Sequence, residues 1–444
     1  MRRPLSLIER CLRYGLATLI ILMLSVVPLI GLLQGATAQN GALSCAYQPV
    51  CGNVVNLPLV PTETGDMMAG TTKPMFGVLQ PQPQYMDQSR KAGVSLRTLE
   101  LAWSRFEPQD GVWDAAYIAA QRQELAQMQA AGIGVMLDFG MQYPPNWIWN
   151  YPNSRYVNQY GESFQTTTIG GNGVNAIFNA AVRTAQARYV QRVFATLGTS
   201  FAGVRLGWGY YGELNYPDPV YGSHTNSYWA YDALAQGRTL GLPLGMRPAP
   251  QPGWTPGTPS ARHAAAAAFA NWYMDSLQNY HDWQIRIVRT FYPGRLLMLY
   301  PSWGIRPGQL DAAIAVDLNG TTSAEQNREV QRGFDWARFI AGITDPHVVV
   351  YTTWLDADDS ADRGTDQRYW SPVHFLAVQA MRNPLHLAVW GENTGGGDMV
   401  AMQRSFKQLA TYHLGALIWA FEPELYNGKH ATINNYRSLM AQYK

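Results

Sequence analysis

Residues 95–139 read SLRTLELAWSRFEPQDGVWDAAYIAAQRQELAQMQAAGIGVMLDF. A short run rich in Leu (95–102) is followed by a turn and then by a stretch with helical composition (114–131), which Asp114 can cap and Gly132 can end. A second apolar run, 134–139, comes directly after. Strand, helix, strand within 45 residues is a βαβ unit, and such a unit builds a parallel sheet.

The same alternation extends in both directions. Candidate strands lie at 75–79, 95–102, 134–139, 203–208, 296–300, 347–352, 385–390 and 416–421, which makes eight, the number that closes a parallel barrel. Helical patterns at 260–292 and 398–413 follow strands, Ser371-Pro372 puts Pro at a first helical position, and Gly93 and Gly415 punctuate helix ends. The expectation is an α/β fold: a single (β/α)8 TIM barrel over 73–444. The connections at 142–173 and 214–258 are longer than a barrel needs, carry Trp, Tyr, Asn and Pro, and leave from carboxyl ends of strands, where barrel enzymes build their sites.

Ahead of the barrel, Arg2, Arg3, Arg10 and Arg13 precede an apolar run from Leu16 to Leu33, and Ala36-Thr37-Ala38 supplies a small-x-small cleavage pattern. Residues 1–38 therefore read as a signal peptide or N-terminal anchor, with cleavage favoured, and the remainder as exported. Either the chain is secreted, or it stays extracytoplasmic and held to a membrane by residues 16–33 alone. Residues 39–72, rich in Gly, Pro, Thr and Asn, read as an irregular linker or cover. They contain Cys45 and Cys51, a short-loop disulfide in an oxidising compartment or else two free thiols.

Charge narrows the partners. The chain has 33 basic and 31 acidic residues; taking away the four Arg and one Glu of 1–38 leaves 29 and 30. With five Lys in all and no basic run past the signal, nothing resembles a surface that tracks phosphates, so nucleic acid is not expected as a partner. The eight His show neither His-x-His nor His-Glu-x-x-His spacing, and neither a Gly-x-Ser-x-Gly elbow nor a dinucleotide fingerprint occurs, so no metal or cofactor is expected. Asp356, Asp358, Asp359, Asp362 and Asp366 form an acidic loop without the sixth-position Gly of an EF-hand, and read as a solvated loop rather than a calcium site.

Two carboxylates stand where chemistry would be placed. Leu206-Gly-Trp-Gly-Tyr-Tyr-Gly-Glu213-Leu-Asn-Tyr-Pro217 follows the fourth strand and Leu387-Ala-Val-Trp-Gly-Glu392-Asn-Thr-Gly395 the seventh. Strands four and seven face each other across a barrel mouth, so Glu213 and Glu392 can flank one glycosidic bond. Cleavage needs a protonated carboxyl and an ionised one; Trp208, Tyr210 and Tyr211 would desolvate Glu213, making it acid/base and Glu392 nucleophile. The structural alternative for each is an Arg partner or a loop cap. Glu107 reads as structural, and Glu422 and Glu424 as either. Trp103, Trp147, Trp303, Trp354, Trp390 and Trp419 all fall near strand ends, as stacking platforms for sugar or as filling for a wide mouth. Asp138 would bond sugar hydroxyls or cap a loop.

Leu96-Arg-Thr-Leu-Glu-Leu-Ala-Trp-Ser-Arg-Phe-Glu-Pro108, Asp110-Gly-Val-Trp-Asp114 and Asp138-Phe-Gly-Met-Gln-Tyr-Pro-Pro-Asn-Trp147 resemble the second and third strands of the β-galactosidase-like glycoside hydrolases of clan A, family 42 among them. The resemblance spans about residues 75–440 and implies an acid/base on strand four and a nucleophile on strand seven. It also implies Arg97 beneath the nucleophile and Trp419 as the floor of the subsite for the cleaved sugar; Tyr211, Trp354 and Trp390 are expected among the substrate contacts from their place beside Glu213 and the strand ends. One departure is Gly212, where clan A has an Asn that bonds the sugar 2-hydroxyl. Gly212-Glu-Leu-Asn-Tyr-Pro217 also resembles the acid segment of the inverting β-amylases, although the second β-amylase pattern is not found at Glu392. The expectation is thus a retaining glycoside hydrolase acting on an oligo- or polysaccharide. An inverting β-amylase-like hydrolase and a carbohydrate-binding barrel without turnover are the alternatives.

Overall fold

The computed structural model describes residues 73–320 and 324–443. The signal or anchor, the linker and the Cys45/Cys51 pair lie outside these residues.

Eight parallel strands close into a barrel in sequence order. They are β1 (Met75–Val78), β2 (Leu96–Glu100), β3 (Gly134–Asp138), β4 (Gly203–Leu206), β5 (Leu296–Tyr300), β6 (Val348–Thr352), β7 (Val389–Glu392) and β8 (Ala416–Trp419). β1 pairs with β8 from Met75 against Ala416 to Val78 against Trp419, which shuts the ring. Side chains alternate along each strand, and the alternation sorts them into two cores. Leu96, Met136, Leu297, Leu299, Val349, Tyr351, Trp390, Ala416 and Ile418 fill the barrel interior. Val135, Leu137, Val204, Leu206, Met298, Val350, Leu417 and Trp419 face the surrounding helices.

The helices begin and end where their caps dictate. Asp114 accepts from the Tyr117 amide to start Ala115–Ala130, Ser371 from His374 to start Pro372–Arg382, and Asp398 from Ala401 to start Met399–Thr411. Gly93 and Gly132 stop helices as expected, each at positive φ. Gly415 does not: Thr411 ends that helix and Gly415 lies immediately before β8, against the Trp390 indole.

β7 begins four residues later than its expected start. Asn383 folds the chain there, donating from Nδ2 to the carbonyls of Ile340 (2.8 Å) and Ile343 (2.9 Å) while its Oδ1 accepts from the Leu385 amide. A side chain that captures backbone groups in this way holds a turn against a strand. The shift makes Glu392 the last residue of β7, on the same inward face as Trp390 two positions earlier.

The connections after β3 and β4 are long and interlocked. Tyr231 N donates to Val157 O (2.9 Å), Tyr228 N to Gln159 Oε1 (2.9 Å), and Tyr160 stacks on His224 at 3.5 Å. Asn226 accepts from Gln159 through its carbonyl, and its own side chain donates to Leu318 O at 3.0 Å, joining the loop after β5 to the same wall.

Among the described residues no helix is long and apolar enough to cross a membrane. The acidic loop after β6 is held by the protein itself: Asp356 by Thr394, Asp359 by Lys407, Asp362 by Ser371 and Tyr412, and Asp366 by Arg368.

Candidate active site

At the carboxyl end of the barrel the inward-facing positions change from apolar to charged. Glu100, Asp138 and Arg205 are register partners on β2, β3 and β4, with Glu100 opposite Asp138 and Asp138 opposite Arg205. Glu392 at the end of β7 completes this layer, and Tyr351, in the apolar fill beneath it, sends its hydroxyl up to Arg205 and Glu392.

Arg205 organises the layer. Its Nη1 donates to Glu392 Oε2 at 2.7 Å and its Nη2 to Oε1 at 3.4 Å. Its Nε donates to Asp138 Oδ2 at 3.1 Å, and Asp138 Oδ1 accepts from the Gly140 amide. Tyr351 OH gives Glu392 Oε2 a second donor at 2.6 Å. Glu392 is thus held and oriented by a guanidinium and a phenol.

Glu213 is half-buried at the end of the loop 207–213. That loop is tightly folded: Trp208 N donates to Gly212 O (3.1 Å), Gly209 N to Glu213 O (2.8 Å), and Asn215 Oδ1 accepts from Tyr210 N (2.9 Å). Burial raises the Glu213 carboxyl to about 7; Arg332 and a hydrogen bond from Thr353 oppose the rise, and the charge of Glu392 adds to it. Glu100 rises to about 7 as well, first through burial and then through Asp138, against the bond it accepts from Tyr143 OH at 2.7 Å.

The remaining expected site residues divide into two groups. Tyr211, half-buried at φ 58°, and Trp354, beside Thr353, lie at the mouth, and Trp354 packs edge-on to Trp303 at 5.9 Å. Asp138 is there too, although its carboxylate is engaged by Arg205.

The others lie elsewhere, and strand parity explains most of them. Arg97 points outward from β2 and pairs with Glu422 (2.5 Å) and the Gln82 carbonyl (2.9 Å), so the guanidinium beneath the nucleophile is that of Arg205. Glu422 also accepts from Ser89 at 2.6 Å, so this buried cluster joins β2 to the chain after β8. Trp419 is fully buried on the outer face of β8 against Tyr436 and cannot floor a subsite. Trp390 faces inward, but one layer below Glu392, inside the apolar fill. Trp103 and Trp147 both bond Glu107, through its carboxylate and carbonyl respectively, and pack on each other, with Arg188 closing the cluster. Trp208 packs outward on Phe139 and Trp283, so the half-buried aromatics next to Glu213 are Tyr210 and Tyr211.

Arg205 and Glu100 also belong to the site, and both carry a signal in the sequence. A lone Arg at an inward position of an apolar strand needs a carboxylate in reach, and a strand-end Glu on the inward face belongs to the mouth.

Residues 81–200 match the family model described as Beta-galactosidase, glycoside hydrolase family 42. The match covers 120 of the chain's 444 residues, and over that stretch the chain is similar to that family. The chain's fold is similar to the catalytic domain of a β-amylase from Paenibacillus polymyxa (TM-score 0.60, 14% identity, 83% of this chain and 98% of that one). It is also similar to β-galactosidases from Bacillus circulans sp. alkalophilus (0.52, 11%, 84% and 56%) and from the haloarchaeon Halorubrum lacusprofundi (0.50, 14%, 83% and 58%). The chain spans a little over half the length of these two β-galactosidases, and at such identities the likeness is one of fold. No curated protein matches its sequence.

Proposed function

We propose that the protein is an exported retaining glycosidase of oligo- or polysaccharides, with Glu213 as acid/base and Glu392 as nucleophile. One observation carries this reading: a carboxyl pushed up to about 7 and a carboxylate clamped by Arg205 and Tyr351 sit in electrostatic contact within one barrel mouth.

In the first step Glu213 donates its proton to the glycosidic oxygen while a Glu392 oxygen attacks the anomeric carbon. The C–O bond breaks, the leaving group departs as an alcohol, and a glycosyl ester remains on Glu392. Glu213, now ionised, takes a proton from water as the water oxygen attacks the same carbon. The ester bond breaks, Glu392 is freed as carboxylate, and the sugar leaves with its original anomeric configuration. Arg205 and Tyr351 donate to Glu392 in its ionised states, and Trp303 and Trp354 offer half-exposed indole faces to the sugar. Export rests on Arg2 to Ala38 alone.

A second reading, an inverting hydrolase, is favoured by the segment Gly212–Pro217 and by the β-amylase-like fold. Proton NMR of the anomer first released from aryl glycosides and oligosaccharides decides between them, with Glu213→Gln and Glu392→Gln alongside the wild type. Initial release of the retained anomer, lost in Glu392→Gln, is the expected result; the inverted anomer would replace the double displacement with a single one. Saccharide binding without turnover of any substrate would leave a binding barrel.

A further inference from the structure

The loop carrying Glu213 has no side chain at the residue just before it, and the space is occupied from another strand. A Cβ on Gly212 would lie 3.1 Å from Gln142 Cδ and Oε1 and 3.3 Å from its Nε2. Gln142, in the connection after β3, is only 6% exposed as a whole residue, and its amide lies against the backbone of the residue that precedes Glu213. Its surroundings belong to the mouth: a Cβ on Gly170 would touch Tyr143, Tyr211 and the Gln142 Cγ together, at 3.6 to 3.8 Å. An amide placed beside the acid of a sugar-cleaving site has the donor and acceptor that a sugar hydroxyl entering that site can use.

We propose that Gln142 is a substrate-binding residue, its amide bonding one ring hydroxyl of the sugar held between Glu213 and Glu392, and that Gly212 lacks a side chain to make room for it. The inference rests on the glycosidase reading of Glu213 and Glu392. Gly212 and Gln142 act as a pair: at φ 79° the backbone at 212 is one that Asn also adopts, so an amide is accommodated at either position but not at both.

The test uses the aryl glycoside that the wild type cleaves fastest, together with its 2-, 3-, 4- and 6-deoxy counterparts. Wild type, Gln142→Met, Gly212→Asn and the double variant Gln142→Ala/Gly212→Asn are compared, with Glu392→Gln as the inactive reference. Gln142→Met is expected to lower kcat/KM on the parent sugar by about 10- to 100-fold, the weight of one good hydrogen bond to the reacting sugar, and to have almost no effect on one deoxy sugar. Gly212→Asn alone should also be impaired, and the double variant should recover part of the loss. A Gln142→Met loss equal on all five sugars, or no recovery in the double variant, would overturn the pairing while leaving the Glu213/Glu392 reading intact. Wild type that cleaves no glycoside would overturn that reading and this inference with it.

Discussion

Replacing Arg205 with Met keeps most of the side-chain volume and removes, among the described residues, the one cation that touches both Asp138 and Glu392. Four contacts are lost: 2.7 and 3.4 Å to Glu392, 3.1 Å to Asp138 and 3.1 Å to Tyr351. What remains is a row of carboxylates, Glu100, Asp138 and Glu392, above an apolar core with no guanidinium among them. Removing one partner of a buried pair costs about 3–5 kcal/mol, mainly because the other charge is left uncompensated. With a urea m-value of about 4–5 kcal/mol per M for a domain of this size, Arg205→Met should lower the unfolding midpoint by about 1 M at pH 8. At pH 5 protons take over part of the neutralisation that Arg205 had supplied, so the gap between variant and wild type should shrink to less than half. Arg205→Lys should fall between, since one ammonium cannot reach both carboxylates with the geometry of the planar fork. Urea unfolding followed by tryptophan fluorescence at the two pH values measures all of this. A gap below about 1 kcal/mol at pH 8, or one of equal size at pH 5, would refute the view that Arg205 neutralises this layer.

The raised carboxyls set two pH dependences. kcat/KM should fall about tenfold per unit above pH 7 as Glu213 loses its proton, and Glu213→Gln should remove that limb. Glu100 and Glu213 both rise from 4.5 to about 7 on folding, so the native state binds more protons over that window and stability should decline as pH climbs through it, then level off; a melting temperature that rises from pH 5 to 7 would contradict this. Trp354→Ala should raise KM about tenfold with a stability change under about 1 kcal/mol, whereas Trp419→Ala should cost about 3–5 kcal/mol and leave KM unchanged, as calorimetry and steady-state kinetics on the same preparations would show.

Much of this architecture is legible in the sequence, because strand runs, caps and the long loops each have a local cause. Asp114, Ser371 and Asp398 start their helices through their own side chains, and eight runs of strand composition close the ring. The start of β7 was less legible because Asn383 acts through carbonyls some forty residues away, which no window around it contains. Within the site, proximity to a strand end selects too many residues: Trp390 and Trp419 both qualify, and only their placement in the layers of the barrel shows that one lies under the mouth and the other outside it. Arg97 and Arg205 differ in the same way, one on the outward face of β2 and one on the inward face of β4. The chemistry around Glu392 follows from that parity. The Gln142–Gly212 contact joins two connections far apart in sequence and needs the fold to be seen.

The wall built from the loops after β3, β4 and β5 has a consequence for how such an enzyme changes its substrate. Asn226 ties residues of all three together, and the Tyr160–His224 stack joins two of them. A graft of any one loop from a relative would arrive without its counterparts and leave their polar groups facing apolar rings. New specificities in this lineage should arise by exchange of the wall as a block, or by small changes on its inner surface, more readily than by the piecemeal loop swaps that many barrels tolerate.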